Sequence, residues 1–147
     1  MDSNILVKLV LNEVGSKEAR ASIADALKKG YALHTVDIAL VEGLNAIWKH
    51  ANALKDLKMT EAMPATEDLT RVYEGLNIVT AREAAAKAVK IALEQNITVY
   101  DSLYISAAQK LKGILYTADR KLCLIAEKII TARMLKAESL NAADFNF

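Results

Sequence analysis

A helix, a glycine turn and a short strand follow one another in residues 96–122, and this succession constrains the fold more than any other part of the chain. Apolar residues recur at helical spacing over about residues 101–112, which predicts a helix there. Gly113 is the type of residue that ends a helix, and residues 114–117 form an apolar run that is typical of a short buried strand. A second helix is predicted to open at Asp119.

Asp101 and Asp119 are predicted to lie at the same edge of the domain. The helix carries the chain about 17 Å in one direction, at roughly 1.5 Å per residue, and the strand carries it about 15 Å back, at roughly 3.3 Å per residue. That edge holds strand C-termini and helix N-termini, where open α/β sheets bind their ligands. Each aspartate could instead be a helix N-cap, and the two residues alone do not decide between a cap and a site.

The rest of the chain alternates predicted helices with short strands, which favours an α/β sandwich with a mainly parallel sheet. Helices are predicted after Asp2, from Ser16 as N-cap to residue 29, from Asp37 and after Thr80. A further helical segment is predicted over residues 54–77, with an interruption at Met63 and Pro64 and a possible restart at residues 66–68. A strand is predicted over residues 31–36, and Ile78 and Val79 are expected to form an irregular link. The helix from Asp37 is expected to turn Leu40, Val41, Leu44, Ile47, Trp48 and Ala51 inward. Residues 1–147 are expected to form a single domain, and a frayed end is favoured for the tail beyond Ala137.

Two further acids, Asp2 and Glu42, stand at comparable places in this pattern. Glu42 has apolar neighbours in a predicted helix, so it either faces solvent or is paired in a site, and Asn45 could orient it from the same face. Several carboxylates that meet at one edge cannot all stay ionised without a cation. Their oxygens select hard ions such as Mg²⁺ or Mn²⁺, which can activate a water molecule for phosphodiester hydrolysis.

The composition disfavours several other classes of function. The formal net charge is +1, so any surface that binds phosphate would have to be local. No apolar run reaches the roughly 18 residues of a membrane span and no signal peptide is visible, which favours a cytoplasmic location. The single cysteine, Cys123, is expected to be a reduced core thiol. Neither a phosphate-binding glycine loop nor a Cys-x-x-Cys pair is present, which disfavours nucleotide-driven and zinc chemistry.

Four segments carry the acids in a fixed order: residues 2–8 (DSNILVK), 39–49 (ALVEGLNAIWK), 98–105 (TVYDSLYI) and 116–122 (YTADRKL). Each motif alone is a weak signal, but the four in order are fairly specific. With them the sequence resembles PIN-domain endoribonucleases, and specifically the VapC toxins of prokaryotic toxin–antitoxin pairs. The resemblance extends over almost the whole chain.

This resemblance implies a three-layer α/β/α sandwich with a parallel sheet of about five strands. It also implies Mg²⁺ or Mn²⁺ as cofactor, RNA as substrate, a cognate antitoxin and a homodimer. The catalytic and metal-binding acids that it implies are Asp2, Glu42, Asp101 and Asp119, with Asn4 and Thr117 as polar support. Family members carry an apolar strand before the first aspartate, whereas only Met1 precedes Asp2, so the first strand is expected to be short or missing.

Basic and aromatic residues near the acids have two interpretations each. Lys8, Lys49, Arg120 and Lys121 could contact substrate phosphate, although solubilising surface charge is the commoner role. The helical phase of Trp48, Tyr104 and Tyr116 favours core positions over base stacking. The antitoxin is expected to cover the helices of residues 16–29 and 54–76. The alternative function is a catalytically weak or inactive PIN-like binding module with a disrupted metal site.

Overall fold

The computed structural model describes residues 1–136, in which helices alternate with strands of three residues each. The elements are α1 (Ser3–Val10), α2 (Ser16–Lys28), β1 (His34–Val36), α3 (Ile38–Trp48), a π-helix (Lys49–Leu54), α4 (Met59–Glu74), β2 (Asn77–Val79), α5 (Ala81–Gln95), α6 (Val99–Lys110), β3 (Leu115–Thr117), α7 (Arg120–Ala126) and β4 (Ala132–Met134). The α/β class that the sequence predicts is therefore confirmed. The tail for which a frayed end is favoured lies outside the described residues.

The strands pair in parallel, as expected, but in two separate sheets. β1 pairs with β2 in the register of Thr35 with Ile78, and β3 pairs with β4 in the register of Tyr116 with Arg133. A single sheet of about five strands is therefore not confirmed within residues 1–136. The strand predicted over residues 31–36 begins only at His34.

The first two residues of the chain connect the two sheets. The Met1 ammonium group donates to the His34 carbonyl over 2.8 Å, and the Thr35 hydroxyl donates to the Met1 carbonyl over 3.0 Å. On the other side, the Asp2 N–H donates to the Tyr116 carbonyl over 3.2 Å. Met1 and Asp2 thus bond to β1 and to β3, and no strand precedes α1 in the part of the chain that the structure describes.

Helix α6 occupies the centre of the fold, since every residue from 102 to 108 is buried. Its two serines are compatible with this burial because both hydroxyls donate to backbone carbonyls: Ser102 to Val99 over 2.8 Å, and Ser106 to Ala84 of α5 over 3.0 Å. At its C-terminus Lys112, not Gly113, takes the left-handed conformation with φ of 51°. The Gly113 N–H then closes the turn on the Ala108 carbonyl over 2.9 Å.

Helix α3 packs on α4 through the smallest side chain available. A Cβ atom at Gly43 would lie only 2.8 Å from Cδ2 of the fully buried Leu69, so glycine lets the two helices approach. The buried face of α3 is formed by Ala39, Gly43 and Ile47. The predicted inner face was wrong at Val41 and Trp48, which are 67% and 55% exposed, because they lie off this stripe.

Three further sequence predictions require correction. Helix α4 is not interrupted at Pro64: it continues from Met59 to Glu74, because proline removes only one backbone donor and the turns on both sides are helical. Residues 77–79 form strand β2 and not an irregular link. Gly15, with φ of 87°, occupies the N-cap position of α2, and the Ser16 hydroxyl instead donates to the Leu11 carbonyl over 2.8 Å.

Thr80 caps α5 as predicted, in a reciprocal capping box with Glu83. Cys123 is a buried free thiol, as expected. No helix within residues 1–136 is long and apolar enough to cross a membrane.

Candidate active site

An open cleft of about 260 Å³ lies where the N-terminal ends of α1 and α6 meet α3. Polar side chains form most of its lining, among them three carboxylates and two amides. The residues that line it are Asp2, Ser3, Asn4, Val7, Glu42, Asn45, Ala46, Lys49, Asp101, Tyr104 and Leu122. Three of the four acids singled out from the sequence are therefore brought together, although they lie far apart along the chain.

Asp2 is the most deeply placed of these acids, with only 1% of its surface exposed. One carboxylate oxygen, Oδ1, accepts from the Ile5 N–H over 3.0 Å and caps α1. The other, Oδ2, accepts from the Thr117 hydroxyl at the end of β3. Burial raises the pKa of Asp2 above its ordinary value, although the hydrogen bonds of Thr117 and Ile5 oppose the change.

Thr117 connects Asp2 to the fourth acid. Its Oγ1 accepts from the Asp119 N–H over 2.9 Å while its hydroxyl hydrogen is donated to Asp2. The Asp119 carboxylate caps α7 by accepting from the Leu122 N–H over 3.0 Å. Asp119 does not line the cleft, and one of its oxygens has the cap role that the sequence left open. Thr117 is therefore the one residue between Asp119 and Asp2 in this chain of hydrogen bonds.

Glu42 points into the cleft and is not on the solvent face of α3. Its Oε2 accepts from the Tyr104 hydroxyl over 2.5 Å, a bond between residues 62 positions apart. Tyr104 is only 4% exposed, so the core position predicted for it is confirmed, but it also lines the cleft. Burial raises the pKa of Tyr104, and the Glu42 carboxylate raises it further. Asn45 lines the same cleft.

Asp101 is held differently from the other acids. It is the third residue of α6, and the cap of that helix is the Thr98 hydroxyl, which accepts from the Asp101 N–H over 3.1 Å. The cap interpretation is therefore wrong for Asp101. Its partly buried carboxylate has no hydrogen-bond or ion-pair partner within residues 1–136.

The donors that line the cleft fit a hard divalent cation, because Asp2, Glu42 and Asp101 offer carboxylate oxygens and the cleft contains no sulfur or imidazole. In the described part of the chain, no three His, Cys, Asp or Glu side chains are close enough together to hold a metal ion as they stand. This is compatible with Mg²⁺, which usually keeps several water ligands and takes only one or two carboxylates from the protein.

The predicted phosphate contacts divide into two groups. Lys49 is exposed and lines the cleft, and Arg120 and Lys121 are exposed at the start of α7. Lys8 lies apart from them: its ammonium group binds Glu13 over 2.7 Å and the Val14 carbonyl over 2.8 Å, and it does not line the cleft. This pairing holds the loop that joins α1 to α2.

The two predicted supporting residues are both near the acids. Asn4 is exposed on the first turn of α1 and lines the cleft, whereas Thr117 is fully buried beneath Asp2. The residue that sequence reasoning missed is Tyr104. Its i,i+3 spacing from Asp101 places the two residues on the same face of α6, and this spacing was the available signal.

The chain is similar to a known family, to a known protein sequence and to a known structure. A family model of the PIN domain matches residues 1–128. Ribonuclease VapC3 of Pyrobaculum aerophilum is 33% identical over 122 residues, which cover 83% of this chain and 89% of that protein. The crystal structure of PAE2754 from the same organism is similar with a TM-score of 0.64 and 21% identity, over 89% of this chain and 85% of the other. The last likeness shows the fold.

Proposed function

The chain belongs to the PIN-domain family, and from this premise we propose that it is a Mg²⁺- or Mn²⁺-dependent endoribonuclease of the VapC toxin type. The similar protein VapC3 is named a ribonuclease. The observation that carries the proposal is the cleft itself, which collects Asp2 from the N-cap of α1, Glu42 from α3 and Asp101 from α6. Acids so far apart in the sequence converge there on an open surface, as a site for a charged substrate requires.

Each residue of the site has a proposed role. Asp2, Glu42, Asp101 and Asp119 form the catalytic and metal-binding set. Thr117 is hydrogen-bonded both to the Asp2 carboxylate and to the Asp119 N–H, and so holds these two residues near each other. A divalent ion bound there would stabilise charge on the phosphoryl group and help to activate water. Lys49, Arg120 and Lys121 are exposed cations that can contact RNA phosphates beside the acids. Asn4 supports the set from the first turn of α1.

The proposal extends to the partners of the protein. A toxin of this type requires a cognate antitoxin, which would lay an amphipathic segment over exposed apolar side chains and close the cleft. Exposed apolar residues occur along the helices for which this role is expected, among them Leu27 of α2 and Met59 and Met63 of α4. A homodimer and a cytoplasmic location, where RNA substrates occur, belong to the same proposal.

Asp101→Asn tests the function directly. Asp101 has no partner within residues 1–136, so the substitution removes a charge without breaking a bond of the fold. We expect wild-type protein to cut RNA with Mg²⁺ or Mn²⁺ and to stop in EDTA, and we expect cleavage by Asp101→Asn to fall at least about 100-fold with an unchanged melting temperature. Asp68→Asn, at an exposed position of α4, is the matched control and should cut normally. Cleavage by Asp101→Asn at the wild-type rate would refute the proposal.

One observation favours a second candidate function, a PIN-fold binding module without catalysis: no three acids in residues 1–136 are already within reach of one metal ion. A melting experiment separates the two candidates, because a cation that binds only the native state must raise its stability. If the protein is a nuclease, its melting temperature should rise with Mn²⁺ concentration. If it is a binding module, its melting temperature should not change with Mn²⁺, and it should still bind a partner protein.

A further inference from the structure

Tyr104 contacts a carboxylate of the cleft from within the core of the protein. Tyr104 belongs to the hydrophobic core and also lines the cleft, and its hydroxyl group donates to Glu42 Oε2 over 2.5 Å. A tyrosine has two side-chain torsions, and burial of the ring fixes both. The hydroxyl group is therefore a fixed donor, whereas the glutamate that it binds has three rotatable bonds and projects from another helix.

The bond constrains a side chain that would otherwise be free to move. Glu42 makes no ion pair or second hydrogen bond within residues 1–136, so the Tyr104 hydroxyl is the one described group that hydrogen-bonds to its carboxylate. Because Oε2 of Glu42 accepts this bond, Oε1 of Glu42 remains available to a ligand in the cleft. A hydrogen bond to a charged group is shorter and stronger than one between neutral groups.

The spacing of Asp101 and Tyr104 along α6 makes this bond important for the site. Asp101 and Tyr104 are three residues apart on one helix and both line the cleft, so α6 supplies one free carboxylate and also holds the carboxylate of α3 opposite. Asp2 is held in the same manner by Thr117. Outer-shell partners of this kind orient the groups that bind a metal, and their loss usually lowers metal affinity about 10- to 100-fold.

We propose that Tyr104 is the positioning residue of this site, which orients Glu42 toward a divalent cation and sets its place relative to Asp101. The inference rests on the proposed function for the identity of the cation. It does not require RNA cleavage to be measured, because Mn²⁺ binding to the protein alone reports on the orientation of Glu42.

Tyr104→Phe tests the proposal, since it keeps the packed ring and removes only the hydroxyl group. Binding of Mn²⁺ alone is measured by calorimetry and by electron paramagnetic resonance on the full chain. We expect the Mn²⁺ dissociation constant to rise about tenfold or more, and RNA cleavage to recover as Mn²⁺ is raised toward saturation. Tyr73→Phe is the matched control, because the Tyr73 hydroxyl donates to the Asp37 carbonyl over 3.4 Å and does not line the cleft. It should bind Mn²⁺ as wild type does.

A double-mutant cycle shows whether Tyr104 acts through Glu42. In a Glu42→Gln background, Tyr104→Phe should weaken Mn²⁺ binding no further, because the carboxylate that it orients is already gone. An additional tenfold loss there, or wild-type affinity in the single Tyr104→Phe variant, would overturn the proposal. If Tyr104→Phe does not fold, Glu42→Asp, which withdraws the carboxylate from the hydroxyl group, should weaken Mn²⁺ binding to a similar degree, and undiminished affinity there overturns it.

Failure of the proposed function gives a different result. A wild-type protein that binds Mn²⁺ but cuts no RNA would refute the nuclease and leave the role of Tyr104 to be decided by affinity alone. A wild-type protein that binds no Mn²⁺ would refute the role of Tyr104 as well.

Discussion

The two sides of the cleft hold their carboxylates in opposite ways. On the strand side, which comprises Asp2, Thr117 and Asp119, every carboxylate is bonded to a backbone N–H and the threonine joins the two acids. On the helix side, which comprises Glu42, Tyr104 and Asp101, one carboxylate has a single partner and the other has none within residues 1–136. Hydrogen bonds within residues 1–136 thus engage three of the four carboxylate oxygens on the strand side, but only one of the four on the helix side.

This difference indicates that one side of the cleft maintains the structure of the candidate site and the other side binds a ligand. The strand side is held in place by the fold, because Asp2 and Thr117 are buried and the three residues lie on β3 and at the starts of α1 and α7. The helix side has partly buried acids with one hydrogen bond or none within residues 1–136, which can adjust to a cation or a phosphate at little cost to the fold. Substitutions on the strand side should therefore affect stability, and those on the helix side should affect binding.

Thr117→Val should produce the largest loss of stability. Valine has nearly the same shape, but it leaves a buried carboxylate oxygen of Asp2 and the Asp119 N–H without their partner. Such losses cost about 3 kcal/mol together, which corresponds to a fall of roughly 8 °C in the melting temperature measured by circular dichroism. The matched control is Thr35→Val, in another buried strand position, where only a bond to the Met1 carbonyl is lost and about 1 kcal/mol is expected.

Equal losses in the two threonine variants would break the comparison. Such a result would mean that the carboxylate of Asp2 finds other partners when Thr117 is removed, and that the strand side is no more fixed than an ordinary buried turn.

The pH dependence of stability sharpens the comparison, because folding shifts the pKa values of two carboxyl groups in opposite directions. Burial raises the pKa of Asp2, so the folded protein holds that proton more tightly than the unfolded chain, and ionised Asp2 opposes folding. As pH falls through the raised pKa toward the ordinary value, wild type should gain stability relative to Asp2→Asn. We expect this gain in denaturant titrations of both proteins, without added metal, between pH 7 and pH 4.

Glu83 provides the contrasting group. Its carboxylate accepts from Lys110 over 2.8 Å and from the Thr80 N–H and hydroxyl, and these bonds lower its pKa to about 2. Its contribution is therefore present above its ordinary pKa and is lost as pH falls toward 2, so wild type should lose its advantage over Glu83→Gln on acidification. The Glu83 effect should be the smaller one, because this carboxylate is solvent-exposed. Shifts of the same sign in the two pairs would contradict the assignment.

Much of the site could be predicted from the sequence, because caps and helix phase are local. The convergence of Asp2, Glu42 and Asp101 follows from the alternation of helix and strand, and all three line one cleft. Thr80 at the start of α5 was equally accessible, since Thr followed three residues later by Glu83 forms a capping box.

The features that sequence reasoning missed depend on tertiary contacts. Helical phase places the ring of Tyr104 in the core but does not show where its hydroxyl group emerges. Strand β2 has three residues, too few for an alternating pattern to be visible. Trp48 is apolar and yet exposed, because Gly43 lets α3 pack on α4 along a different stripe. A single proline did not end α4, because helical turns on both sides of Pro64 maintain the helix.

Asp101→Asn should have the smallest effect on stability, and this makes it the most direct test of the helix side. The side chain has no partner within residues 1–136, and the Asp101 N–H remains bonded to Thr98 whichever side chain is present. We expect the free energy of unfolding to change by less than about 0.5 kcal/mol in metal-free buffer, as for most substitutions that break no contact. With Mn²⁺ present, wild type should become more stable than the variant, because only its carboxylate can contribute to binding the cation. A loss above about 1.5 kcal/mol in metal-free buffer would mean that Asp101 supports the fold as Asp2 does, and the two sides of the cleft would then be equivalent.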